Sequence, residues 1–511
     1  MSKQGTKGFQ WKYMVWGIVA LQCMVSIVLG WRLVSMGLLF GDYLVLYALG
    51  GLALDGITFL LARRKIISFF LCILCVVISC VMGYGLYALS HVYGTVKEIT
   101  QNADIVETEI AIMVLEESEA KEITDLHQFH IGYLTEEKTA SVSDVCEEIN
   151  GHVGGEVTYR EFEDVYDVVD ALYDDAVSAI ILDTAFVSMI EEMDGYTDFS
   201  LVTKIIHSFQ VIDYIKLVKE EAEPVTAVGE ETGKDTTAEE TIVKRDKSKQ
   251  FVAYISGIDT TGNVNRKSRS DVNILAVVNT ETKQVQLINT PRDYFVELPN
   301  SGGVKDKLTH AGIYGIENSI GALEMLYDVE VDYYVRLNFS GFKEIIDAVG
   351  GVDVYSEYAF TVSYGPPSAP VKHVFVQGMN HLDGENALVF ARTRSQFTSG
   401  DVQRGKNQMA LITGMINKIA SSEILNSYTD VLKAIGDSFQ TNMSSEEIYA
   451  LVKMQLEDMK PWEIASYTVT GTGDSSTTFS SPSRKSYVMI PDEETVKTAR
   501  ELMQEILFTE N

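Results

Sequence analysis

A chain of 511 residues is too long for one ordinary core, so two or three folded units are expected beside any membrane part. Its 41 Lys and Arg against 72 Asp and Glu give a formal charge of -31, which opposes general attraction to nucleic acid or to an anionic membrane surface. Of its five cysteines, Cys23, Cys72, Cys75 and Cys80 fall in the apolar N-terminal part and only Cys146 lies beyond it, which excludes a disulfide scaffold there. Cys72 and Cys75 read as apolar filler rather than a redox pair.

Met14–Trp31, Tyr43–Ala62 and Ile66–Leu89 are apolar runs, each near the roughly 20 residues a helix needs to cross a bilayer. A cleaved signal peptide is not expected, because the first run ends in Trp31-Arg32 and two more runs follow. Lys3, Lys7 and Lys12 precede the first run and Arg63-Arg64-Lys65 divide the second from the third, whereas the first loop offers Asp42, with Arg32 a mild exception. The positive-inside rule then puts the N-terminus in the cytoplasm and everything after about residue 92 outside. Residues 1–92 are thus a three-span anchor. Asp55 lies within the second span, where a carboxylate is a functional candidate by default; no partner is visible in the sequence, which favours a tolerated or structural role.

Residues 98–218 alternate strand-like runs (Glu109–Leu115, His130–Leu134, Ala179–Leu182) with helical ones (Ser141–Ile149, Phe162–Tyr173, Thr184–Met193), the pattern of a small α/β accessory domain. It carries no cluster of chemical groups. Residues 219–249 are rich in Glu, Thr and Lys with almost no large apolar side chains, and read as a polar linker. A third unit, 250–511, opens with strands Phe251–Gly257, Val272–Asn279 and Gln284–Thr290. If these pair as an antiparallel meander, Asp259, Asp271 and Arg292 share one sheet edge. Helical text at Gly321–Tyr327 and Phe342–Val349, strands at Tyr333–Leu337 and Val371–Val376, and several helices to the C-terminus complete an α/β/α sandwich with a mixed sheet.

Three arginine-bearing segments stand out: Asn289-Thr290-Pro291-Arg292-Asp293, Ala391-Arg392-Thr393-Arg394, and Gly400-Asp401-Val402-Gln403-Arg404. Guanidinium forks suit a phosphate or pyrophosphate held in one geometry, and an anchored chain suggests that the phosphate is on a lipid. Asp259 and Asp271 either chelate a hard cation such as Mg2+ or are ordinary loop aspartates. Arg292, aimed by a Pro at a strand end, is either a ligand group or a surface partner of Asp293. Arg392 and Arg394 face one side only on an extended segment, so the helix that Asp383 caps should stop near Phe390 or Ala391 if both hold one ligand; otherwise they are a solvated pair. Asp401, Arg404 and Gln408 share one helical face, which continues into Leu411, Ile412 and Met415. That face suits a pyrophosphate with a hydrocarbon tail, and also an ordinary core helix. His310 and His381 lack partners at metal spacing and read as structural. No nucleophile elbow, glycine-rich phosphate loop or zinc spacing is present.

Taken together, these segments resemble the LytR-CpsA-Psr family of Gram-positive bacteria. The matches are Asp259; Arg269-Ser270-Asp271; Asn289-Thr290-Pro291-Arg292-Asp293; Lys307-Leu308-Thr309-His310-Ala311; Asp332-Tyr333-Tyr334-Val335; Asp347-Ala348-Val349-Gly350-Gly351-Val352; Leu382-Asp383-Gly384-Glu385-Asn386-Ala387-Leu388; Ala391-Arg392-Thr393-Arg394; and Gly400-Asp401 with Arg404 and Gln408. The three-span anchor and accessory domain look like those of its capsular-polysaccharide members. The resemblance implies a phosphotransferase that moves a glycan from a polyprenyl-pyrophosphate carrier to peptidoglycan, leaving a phosphodiester. Asp259 and Asp271 would hold Mg2+ (or Mn2+), Arg269, Arg292, Arg392 and Arg394 would grip the pyrophosphate, and Asp401, Arg404 and Gln408 would orient that network. The family commonly has Ser-Ile before Pro-Arg-Asp and a further Arg where Asn407 stands, so that arginine's role is in doubt here. The implied partners are the lipid-linked glycan, peptidoglycan, the bilayer and other capsule-assembly membrane proteins, with no nucleic acid. The competing reading is a non-catalytic membrane sensor or regulator of capsule assembly, against which the full Asp/Arg set argues.

Overall fold

The apolar runs form three long helices, Gly5–Ser35, Gly41–Leu60 and Lys65–Gln101, in a computed structural model that describes residues 5–508 apart from 36–38, 40, 102–104, 140, 154–156, 216–245, 259–262, 365–369, 399, 422–430 and 432–438. Trp11–Ser35, Tyr43–Arg63, which includes the 3-10 turn Leu61–Arg63 after the second helix, and Lys65–Tyr87 are long and apolar enough to cross a membrane. Several of their polar side chains find partners within the helices, as hydrocarbon favours. Ser79 Oγ donates to Gln22 Oε1 (2.5 Å), Tyr47 Oη to the Ser26 carbonyl (2.7 Å), and Cys23 Sγ to Asp55 Oδ2 (2.9 Å). Asp55 therefore has a partner that the sequence did not reveal. Cys72 and Cys75 are buried and unbridged, as filler should be.

Gln101–Ile419, Asp437–Asn442 and Pro461–Asn511 form a compact unit distinct from the anchor, which clusters with Ala420–Gly436 and Met443–Lys460. Its two large sheets have five and six strands. The accessory sheet has the order Thr158–Phe162, His130–Leu134, Ala179–Asp183, Ile105–Leu115, Thr203–Tyr214 and mixes parallel with antiparallel pairs. Two of these strands were not expected. Thr158–Phe162 takes Phe162 from the expected helix, which starts only at Val165 because Asp164 caps it, accepting from the Tyr166 amide at 2.8 Å. Thr203–Tyr214 is an edge strand whose apolar residues are partly solvent-facing, with Ile205 and Ile212 at 50% and 59% exposure, so its pattern does not announce a core strand.

The central sheet has six strands in the order Phe439–Thr441, Tyr333–Asn338, Gln250–Ile258, Ser270–Asn279, Gln284–Asn289, Glu463–Thr468. The middle three are the expected meander, and Tyr333–Asn338 joins in parallel. Val371–Phe375, expected in this sheet, pairs instead with Phe360–Tyr364 in a separate hairpin. The C-terminal stretch, expected to be helical, supplies both sheet edges and a second hairpin before the last helix, Glu493–Phe508. Short strands of mixed polarity such as Phe439–Thr441 owe their form to pairing rather than to their own pattern.

One buried apolar cluster runs through both sheets, joining Val106, Met113 and Phe186 to Leu275, Ile288 and Tyr314. At their junction Asp164 is 1% exposed and accepts from Ser481 Oγ (2.9 Å), the Ser483 amide (2.9 Å) and Ser483 Oγ (2.7 Å), while Arg484 bonds Asp170 and Tyr196. Asp164→Ala would leave the buried Ser481 hydroxyl and Tyr166 amide unsatisfied in a dry place and remove the acceptor of the more exposed Ser483, and is expected to destabilise this unit by about 3 kcal/mol, read as a lower midpoint in denaturant.

Candidate active site

The meander brings Ile258 opposite Ser270 and Asn289 opposite Ile274, so the three chain ends share one edge, as the pairing required. A buried network sets the start of the second strand: Tyr254 Oη donates to Asn273 Oδ1 (2.7 Å) and meets Ser270 Oγ (2.9 Å), and Asn273 Nδ2 donates to the Ser270 carbonyl (3.0 Å). The segment after the third strand is clamped in turn. The Thr290 amide donates to the Asn273 carbonyl and the Thr309 amide to the Arg292 carbonyl, both at 2.9 Å. A Cβ on Gly312 would lie 2.5 Å from the Ser268 carbonyl oxygen and 2.9 Å from the Ser270 nitrogen, so only glycine lets the turn after Leu308–Ala311 press on the backbone around Arg269.

On this frame Arg292, its side chain 5% exposed, reaches Asp271 Oδ1 with Nη1 (3.0 Å) and Glu192 Oε1 with Nη2 (2.5 Å). Thr309 Oγ1 donates to the same Asp271 oxygen (3.1 Å). Arg269, also buried, bonds the other Glu192 oxygen. Lys307 Nζ lies 3.5 Å from Asp293 Oδ1, which is 3.9 Å from Arg292 Nε. Three cations thus face three carboxylates in a largely desolvated cluster, where charged hydrogen bonds are strong and an uncompensated charge is costly.

The helix capped by Asp383, whose side chain accepts from the Asn386 amide, runs Gly384–Arg392, one residue past the stop that would place both arginines on an extended segment. Thr393 is extended and Arg394 lies beyond it. The Arg392 guanidinium stands over the Phe339 ring (4.5 Å to the centroid) and 5.9 Å from that of Tyr364. Arg394 is exposed, and its charge acts on Asp401. Helix Asp401–Ala420 opens with Asp401 paired to Arg404 (2.5 Å). Asn407 Nδ2 and Gln408 Nε2 donate to the Phe390 and Ala391 carbonyls (3.4 and 3.3 Å), so both tie this helix to the end of the preceding one. Asn407 therefore serves as a strut. Gly405 faces Asn289 so closely that a Cβ would sit 2.1 Å from its Nδ2, which seats the helix on the end of the third strand.

These charges act on one another. Burial opposes ionisation of Asp271, but Arg292, Arg269 and Arg404 hold its carboxyl below the usual carboxylate range. Asp401 goes the other way: burial, helped by Asp293, raises it despite Arg404. Both contacts of Asp271 fall on Oδ1, so Oδ2 can serve a hard cation. Asp259, its expected partner, lies outside the described residues, and among the described residues no group of three or more His, Cys, Asp or Glu gathers at metal spacing. His310 bonds Asp306 (2.7 Å) and Ser480 (3.0 Å) in the core, and His381 pairs with Asp353, structural roles as expected.

The structure thus unites Arg269, Asp271 and Arg292, with Asp401 and Arg404 acting on them through charge, while Arg392 packs on Phe339 and Gln408 bonds the Ala391 carbonyl. Sequence reasoning missed Lys307, Thr309 and Asp293 as contributors, although all three sit in the quoted motifs. It missed Glu192 altogether, and the accessory domain does carry a chemical group. No spacing could have revealed a contact made 77 and 100 residues away.

A sequence model of the LytR_cpsA_psr family matches residues 215–503, more than half of the chain. The chain belongs to the LytR-CpsA-Psr family. Among its relatives, a Bacillus cereus (strain ATCC 14579) protein named polyisoprenyl-teichoic acid–peptidoglycan teichoic acid transferase TagU is 35% identical over 212 residues, covering 41% of this chain and 66% of that protein. An Enterococcus faecalis (strain V583) protein of the same name is 32% identical over 209 residues, 40% of this chain and 66% of its own. The match spans about two thirds of these relatives' own length. The solved structure of B. subtilis TagV covers 52% of this chain and all of its own at 26% identity, with a TM-score of 0.43. A model of DNA polymerase processivity factors matches residues 65–182, a stretch that opens with the third apolar helix. That helix and a charge of -31 fit poorly with a DNA-associated role.

Proposed function

We propose that this chain is a membrane-anchored phosphotransferase that moves a glycan from a polyprenyl-pyrophosphate carrier to peptidoglycan. The observation that carries the reading is the buried Arg269–Asp271–Arg292 cluster on one sheet edge, a preorganised seat for phosphate charge. The relatives' names, which specify a polyisoprenyl-linked teichoic acid and peptidoglycan, support it. Those names say teichoic acid; capsular polysaccharide, proposed from the three-span anchor and accessory domain, is the finer reading. The basic residues at Lys3, Lys7, Lys12 and Arg63-Arg64-Lys65 support an outside location for the catalytic unit, where peptidoglycan lies.

In this reaction the acceptor hydroxyl oxygen attacks the phosphorus that bears the glycan, the P–O–P bridge breaks, and lipid monophosphate leaves. Arg269, Arg292, Arg394 and Arg392 would bear the charge on the phosphoryl oxygens, and Arg404 would orient Asp401. Mg2+ (or Mn2+) bound at Asp271, with Asp259 on its sequence expectation, would neutralise further phosphate charge. Of the two described aspartates Asp401 is the better general base, because a raised carboxyl is the stronger proton acceptor and a lowered one the weaker. A base must be ionised, so turnover is expected to fall as pH drops through the raised value of Asp401, and Asp401→Asn should flatten that limb along with most activity. The function is tested by incubating the full chain in detergent with lipid-pyrophosphate-linked glycan, Mg2+ and peptidoglycan fragments. A phosphodiester-linked product supports the reading, and binding of the glycolipid without product favours the regulator.

A further inference from the structure

Glu192 belongs to the accessory part of the chain, yet its two carboxylate oxygens go one to Arg269 and one to Arg292. Two oxygens of a phosphate group would meet the same two guanidinium forks in this manner. The arginine side chains are 7% and 5% exposed, whereas that of Glu192 is 34% exposed, so the carboxylate closes the seat from its open side. The segment that presents it is firmly held. Its Glu192 and Met193 amides donate to the Met189 and Ile190 carbonyls, Met189 and Ile190 are buried in the shared core, and Tyr196 just beyond is bonded by Arg484.

We propose that Glu192 is an internal competitor for the phosphate seat, a carboxylate that stands where the donor's pyrophosphate must bind and is displaced by it. The proposal rests on the reading of Arg269 and Arg292 as that seat, and it gives the accessory domain a task, to carry the plug. A role as general base fits less well. Although burial opposes its charge, Arg292 and Arg269 hold Glu192 below the usual carboxylate range, which makes it a poor proton acceptor. For the same reason it stays ionised at neutral pH, so the plug yields to a competing anion rather than to a proton. A seat that is open only part of the time binds every ligand more weakly by that fraction.

The test is a calorimetric titration of inorganic pyrophosphate into the full chain in detergent at neutral pH, without divalent cation. Glu192→Ala and the isosteric Glu192→Gln are both expected to tighten binding by about tenfold or more. Adding Arg292→Ala to either variant should abolish that gain. If neither Glu192 variant binds more tightly while Arg292→Ala alone abolishes binding, Glu192 is a fixed ion-pair partner; the plug is then wrong and the arginine seat stands. If Arg292→Ala leaves binding as it was, the seat itself is refuted and the plug with it.

Discussion

Arg292→Lys is expected to lower turnover by roughly 100-fold or more, the effect of losing one preorganised donor to charge that grows in the transition state. The guanidinium spends Nη1 on Asp271 and Nη2 on Glu192, so its plane is fixed by two carboxylates in a desolvated place. An ammonium keeps the charge but offers one mobile point, which cannot reproduce the fixed fork that serves Asp271 and a phosphate oxygen together. Binding of the lipid-linked donor should fall much less than turnover, because most of the charge attraction remains. The same exchange at Arg392, which is exposed and stacked on Phe339, should cost less than at Arg292. Single-turnover rates and donor affinities for the two variants decide this; equal losses at both positions would remove the buried cluster from its central place.

Asp271→Asn is expected to weaken divalent-cation binding and turnover together, since a neutral amide adds little to a hard cation's shell. The change also removes one of the carboxylates that face Arg292, leaving Glu192 at 2.5 Å and Asp293 at 3.9 Å. Stability should respond with a definite sign. The folded Asp271 carboxyl lies below its unfolded value of about 3.9, so its contribution is fully present above that pH and is lost as pH falls through the folded value. The Asn variant should therefore be less stable at neutral pH and lose part of the wild-type decline between about pH 4 and the folded value, as read from unfolding midpoints across acid pH. Unchanged activity in excess chelator would separate the metal from the mechanism.

How much of this could be read beforehand depended on distance along the chain. The meander was legible because three apolar runs are divided by a tight polar turn, and its register alone set Asp271 and Arg292 on one edge. Asp383 announced its helix by side-chain chemistry that acts within three residues. The end of that helix was less legible, since struts from Asn407 and Gln408 fix it from outside the local sequence. Strand Glu463–Thr468 takes its form from the neighbour it pairs with, Gln284–Asn289. Glu192 was invisible for the same reason, because only the docking of the accessory sheet through Asp164 and Arg484 carries it to Arg269 and Arg292.

The most direct measurement follows release of lipid monophosphate from a lipid-pyrophosphate-linked glycan by the full chain, with and without peptidoglycan fragments, for the wild type and Arg292→Lys. Release that requires the acceptor, yields the glycan joined through a phosphodiester in equal amount, and collapses in the Arg292→Lys variant is the result predicted. Release of free glycan phosphate regardless of acceptor, or full transfer by the lysine variant, would contradict it.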